Sequence, residues 1–341
     1  MMRERSSRVR RAAAAALATL VGAGVAAGSA APSRTVLKVT YGRYLTFAPL
    51  AIARAEGYFR DHGLDVELVH LTGGNEVTPA VIRGDVDVGA GMLKPAEFNA
   101  IARGATLRIV ADKGHYEAGP CVSAALVVRP GFLQTRNYDR PDHLKRTRFS
   151  AATLSFAEYV LDTFLAQKGL SLDDVQRVRL PEASAAAALA DGSLDVQHMA
   201  EPFLTRAVRS GHAVVWKPVV EILPGAQLAT VVYGPTLLEK NRDAGVRFLA
   251  AYLRGVREYN RGKTARNVEI VSKETGLDAD LVREACWESI RGDGRINVEG
   301  VLEYQRWAVR KGLLDTVVPP EKFWDPSFVE AAGKLLAPPA P

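Results

Sequence analysis

The stretch LTGGNEVTPAVIRGDVDVGAGMLKPAEF, residues 71–98, decides the fold. Gly73 and Gly74 end a strand, and Asn75 or Glu76 opens a helix whose apolar face is Val77, Ala80 and Val81. Gly84 closes that helix, because a left-handed C-terminal cap favours a residue without Cβ. Asp85-Val86-Asp87-Val88 alternates polar and apolar with the period of a half-buried strand. The strand is expected to stop at Gly89-Ala90-Gly91, and Lys94-Pro95 to begin a second helix. Such a place suits a ligand: small residues let it approach the backbone, and a helix N-terminus offers unpaired N–H groups.

The phrase returns about a hundred residues later. Ala185–Ala190 is an alanine-rich helix, Gly192 closes it, and Ser193-Leu194-Asp195-Val196 repeats the short strand before His198, Glu201 and Pro202. Two such copies imply two similar lobes with a ligand between them.

Met1–Ala31 reads as a cleavable secretory signal peptide. Arg3, Arg5, Arg8, Arg10 and Arg11 precede an uncharged run from Ala12 to Ala27, followed by small residues. That run is shorter than the roughly 20 residues a spanning helix needs. Arg10-Arg11 hints at twin-arginine export, and the absence of Cys at the cleavage site disfavours a lipoprotein. The segment's five Arg and one Glu account for four of the six formal positive charges, so the mature chain is near +2. Nucleic-acid binding thereby loses its compositional support. Cys121 and Cys286 are the only thiols; outside the cytoplasm they could pair, or they are two separate buried thiols.

The mature part alternates strand and helix: a strand Val36–Tyr41, a helix Ala48–Ala55, a strand Asp65–Leu71, a helix from Phe98, and a strand Leu107–Ala111. This predicts α/β architecture with mostly parallel sheets. Ser123–Arg129 reads as a strand leaving the first lobe, and Leu228–Tyr233 as the strand that leads back. Helices are expected over Arg242–Tyr259, Leu281–Ile290 and Val301–Val309, with Pro338–Pro341 disordered.

The order of AEGYFRDHGLDVELV, GDVDVGAG, GATLRIVADKG, ALVVR and LAQKGLSLDDVQRVRLPEASAAAALADGSLDVQHMAEPF, then SKETGLDADLVREA and DPSFVEAA, resembles the substrate-binding proteins of nitrate, sulfonate and taurine ABC importers. That family also includes proteins resembling binders of a thiamine-pyrimidine precursor. The resemblance implies a two-lobed periplasmic binding protein of type II. Lobe 1 would be residues 36–128 plus 228–336, and lobe 2 residues 129–227, with crossings at Pro130-Gly131 and near Gln227. It also implies a monomer in the periplasm, without cofactor, serving the permease and ATPase subunits of an ABC importer. A sensor docking on a membrane receptor is the alternative partner reading.

Ligands of such sheets sit beyond the C-terminal strand ends. The candidate contacts are therefore Arg43, Tyr44, Phe47, Gly74, Asn75, Lys94, His115, Tyr116, Ser155, Phe156, His198 and Glu201. Asn75 either meets the ligand or only caps its helix, and Glu201 is either a contact or a helix-start device. Helix N-termini with Arg43, Lys94 and Lys113 favour a small organic anion with an apolar body; Glu76 and Glu201 would instead suit an amino-pyrimidine. The six His lack metal-ligand spacing, and no nucleophile elbow or phosphate loop is present, so no enzyme is expected.

Overall fold

The structure is a computed structural model that describes residues 34–337, except 43, 72–73, 152–154 and 181 and the side chains of 74, 75, 182 and 183. The expected signal peptide and the tail from Pro338 lie outside the described residues. In chain order the strands are β1 (Thr35–Tyr41), β2 (Leu64–His70), β3 (Val88–Met92), β4 (Arg108–His115), β5 (Ala124–Val128), β6 (Arg148–Ser150), β7 (Gln176–Arg177), β8 (Val196–Ala200), β9 (Val214–Pro218) and β10 (Gln227–Tyr233).

They form two five-stranded sheets, ordered β2-β1-β3-β10-β4 and β7-β6-β8-β5-β9. The two orders share one pattern. Three strands run parallel, and the fourth, β10 or β5, is antiparallel to both neighbours. The α/β reading with mostly parallel sheets flanked by helices therefore holds. β5 corrects the expected first crossing, because it pairs with β8 and β9 rather than ending the first lobe. The chain crosses between His115 and Ala124, before Pro130-Gly131. The physical reason lies in β5 itself: Leu126 and Val128 face one core while Ala125 and Val127 face another. A strand buried on both faces belongs inside a sheet, not on a connection.

The repeated Gly-x-aliphatic-Asp-Val phrase is shifted from its expected strand in both copies. Residues 85–87 bend, and β3 then runs through Gly89, Ala90 and Gly91. Asp87 accepts from Lys38 N through Oδ2 at 2.8 Å, while its own N–H donates to Lys38 O at 2.9 Å. Asp195 does the same to Arg148, accepting from its N at 3.0 Å and donating to its O at 3.1 Å. The motif's Asp thus fastens the third parallel strand of each sheet to the first. Gly89 is required by packing rather than by a ligand, since a Cβ there would lie 2.5 Å from Val232 and 2.9 Å from Val81.

The expected helix Leu281–Ile290 is also shorter, running over Ala279–Glu284. After it the chain is held extended: Cys286 is disulfide-bonded to Cys121, and Ser289 O accepts from His115 N at 3.0 Å. An apolar core continues from one sheet to the other. Phe156 stacks on Tyr304 at 5.9 Å, Tyr159 packs on Trp307 at 5.1 Å, and Trp307 Nε1 donates to Asp162 at 2.9 Å.

Candidate functional site

The ends of β1, β3, β4 and β8 and the start of β10 bring a buried polar cluster together. Lys113, next to last but one in β4, is 1% exposed. Its Nζ donates to Thr46 Oγ1 at 2.9 Å and stands 3.5 Å from the Phe47 ring centre. Among the described residues it makes no ion pair, and an ammonium with three donors keeps two to spare. Burial drives its pKa down to about 7, with Glu288 and Asp112 pulling it back and Lys94 pushing further. Burial likewise drives Glu288 up to about 7; the Ser123 hydroxyl, donating at 2.9 Å, works against the rise.

Two carboxylates nearby are fully engaged. Asp112 takes Gly114 N and Gln227 Nε2 on one oxygen, and His115 Nδ1 and Arg291 N on the other. Glu201 takes Thr205 N at 3.1 Å, Thr205 Oγ1 at 2.6 Å and Cys286 N at 3.0 Å. Burial raises its pKa even so. At the end of β3, Lys94 pairs with Glu97 at 3.2 Å, both buried, and Glu97 Oε2 has no hydrogen-bond partner among the described residues. Burial raises the Glu97 pKa against the pull of Lys94. Met92, two residues before Lys94, is 41% exposed.

The arrangement offers two ammonium groups with spare donors, one carboxylate oxygen with spare capacity and an apolar wall. The sequence pattern of the NMT1-like family matches residues 30–291. The chain belongs to the NMT1-like family. Its fold is similar to that of the periplasmic aliphatic sulphonate binding protein SsuA from Escherichia coli, at 20% identity over 86% of this chain and 93% of that one, TM-score 0.67. It is similar to the periplasmic nitrate-binding protein NrtA from Synechocystis PCC 6803, at 15% identity over 90% of each chain, TM-score 0.70. It is also similar to the desulfurization enzyme DSZB, at 13% identity over 89% and 100%, TM-score 0.67. No curated protein matches the sequence. These likenesses identify the type II periplasmic binding protein fold.

Within this NMT1-like chain the expected contacts are placed unequally. Arg43 and the Asn75 side chain lie outside the described residues, and Gly74 opens the helix Gly74–Arg83. Tyr44 reaches across to Phe203, ring edge to face at 5.9 Å, so the loop after β1 meets the turn after β8. Phe47, Lys94 and Glu201 join the cluster. His115 is tied to Asp112 at 3.0 Å, and its Nε2 is 3.4 Å from Glu117. Tyr116 pairs by backbone with Gly225 and Ala226, where the two crossings touch. Ser155 caps the helix Phe156–Ala166. Phe156 is 1% exposed, its faces taken by Tyr304 and Tyr159, so in this conformation it is core rather than a ligand platform. His198 is buried opposite Leu126 and burial lowers its pKa to about 4, which keeps it neutral.

Met92, Glu97, Ser123 and Glu288 were not among the expected contacts. Met92 and Glu97 flank Lys94 and could have been read as its neighbours; Glu288 falls in the stretch expected to be helical and carried no signal. Two surface cavities, of about 190 Å³ beside Phe164 and Glu221 and about 440 Å³ beside Arg108 and Trp324, include none of these residues.

Proposed function

We propose that this NMT1-like chain is an extracytoplasmic solute-binding protein that takes one small organic anion between the strand ends of its two sheets and delivers it to an ABC importer. The observation that carries this reading is Lys113, a buried ammonium with spare donors and no ion-pair partner among the described residues. An anion would supply the missing charge, which burial otherwise makes costly. Met92, Tyr44 and the Phe47 ring supply the apolar surroundings that a bare oxyanion would leave idle. The binding functions named for the similar SsuA and NrtA proteins support import.

A second reading rests on Glu97, whose buried Oε2 lacks a donor among the described residues. An amino-pyrimidine would satisfy it and leave Lys113 unserved. A thermal-shift panel of alkanesulfonates, aromatic carboxylates, nitrate and aminopyrimidines decides between them. A ligand at a hundred times its dissociation constant adds about 2.7 kcal/mol of stability. Organic anions should raise the melting temperature and be recovered chemically unaltered; a response to aminopyrimidines alone refutes the anion, and a converted product refutes simple binding.

A further inference from the structure

The segment Cys286–Ser289 lies across the junction of the two sheets. On the first-sheet side it is fixed by Trp287 stacked on Tyr259 at 4.8 Å, by Tyr259 OH donating to Glu288 O at 2.8 Å, and by the Ser289 contact with His115. On the other side Cys286 N donates to Glu201, just after β8, and Glu288 accepts from Ser123, just before β5. The disulfide is the covalent member of this set. Only Val122 and Ser123 separate Cys121 from β5, so the bond anchors the second sheet to the first at its cleft edge. Cys121 is exposed, as is the whole run Glu117–Cys121 leading to it, while Cys286 is 6% exposed.

We infer that the Cys121–Cys286 disulfide is a redox-operated clasp that limits how far the second sheet swings from the first, and so sets how firmly the cleft holds its solute. The consequence for retention rests on the solute-binding reading; the limit on motion does not. An incoming dithiol reductant attacks the exposed Cys121 sulfur, the S–S bond breaks, and two thiols form as the dithiol closes to its own disulfide. With the bond cut, the segment holds this edge by two hydrogen bonds, from Cys286 N to Glu201 and from Ser123 to Glu288. The Phe156–Tyr304 and Tyr159–Trp307 core stays packed, and the sheets are freed to turn about it.

The test uses the full ligand-free chain, oxidised and then reduced with dithiothreitol, with near-ultraviolet circular dichroism to follow packing and small-angle X-ray scattering to follow shape. Reduction should leave the dichroism intact, shift the radius of gyration upward, and reverse on reoxidation. The variant Cys121→Ser with Cys286→Ser should scatter as the reduced chain does under all conditions. Unchanged scattering on reduction overturns the clasp. Loss of the near-ultraviolet signal overturns it too, because the bond would then be a staple for the whole fold. Neither result bears on the solute panel, which is read in the oxidised chain.

Discussion

Replacing Lys113 with Met should make the ligand-free protein more stable while removing its ability to respond to an anion. The side chain's pKa falls from 10.5 to about 7 on burial, so below both values the buried ammonium costs about 5 kcal/mol, at about 1.4 kcal/mol per tenfold. Between the two values the unfolded chain binds the proton and the folded chain does not, so the penalty shrinks as pH rises and vanishes above 10.5. It is about 4 kcal/mol at pH 7 and about 2 kcal/mol at pH 9. Met keeps the unbranched stem against Phe47, but strands Thr46 Oγ1 at a cost of about 1 kcal/mol and takes the nearby cation from Glu288. The net gain for Lys113→Met is about 2 kcal/mol at pH 7 and close to nothing at pH 9. Urea unfolding of both proteins at the two pH values measures it, with equal slopes confirming an unchanged unfolding transition. A variant less stable than the parent at pH 7, a gain that does not shrink by pH 9, or an intact thermal shift with the organic anion would each refute the reasoning.

Anion affinity in the parent should fall as pH rises through 7, since Lys113 loses its charge and Glu288 gains one in the same range, by up to about tenfold per pH unit for each group; calorimetry from pH 6 to 9 that found affinity rising would contradict this. Trp307→Phe removes the 2.9 Å bond to buried Asp162, which keeps Lys311, and should cost about 1.5–3 kcal/mol in urea unfolding. Gly255→Ala should cost about 1–3 kcal/mol, because its Cβ would stand 2.3 Å from Pro49 O and 2.8 Å from Ala53 Cβ, where the helices Ala48–Ala55 and Arg242–Tyr259 cross; a neutral effect in thermal unfolding would refute the close approach.

Local periodicity in the sequence carries the regular elements well. The helices Ala48–Ala55 and Arg242–Tyr259 have the expected bounds, and β1, β2 and β10 lie within a residue of theirs. What periodicity cannot carry is which sheet a doubly buried strand joins. The run Ala124–Val128 is apolar at every position, so only its partners reveal that it belongs with β8 and β9. The site divides in the same way. Lys94 announces itself through Lys-Pro after a glycine-rich strand, and Glu201 through Glu-Pro-Phe. Glu288 reaches Ser123 over a separation of 165 residues, and nothing near either residue signals the meeting. The break in the helix before Cys286 is likewise a tertiary event, imposed by the bond to Cys121 and by His115.

Asp87 and Asp195 give each half of the molecule a fixed origin for counting. Met92 is the fifth residue beyond Asp87, and Ala200 the fifth beyond Asp195. Each carboxylate grips a backbone N–H of the neighbouring strand, so the distance along the chain from that grip to the cleft is a ruled length. Adding or deleting one residue inside it would turn every later side chain of the strand to the opposite face. Insertions past Met92 or Ala200 would leave the gauge untouched. Length is therefore fixed between Asp87 and Met92 and between Asp195 and Ala200, and in the first of these spacers Gly89 is fixed in kind as well, by its contact with Val232 and Val81.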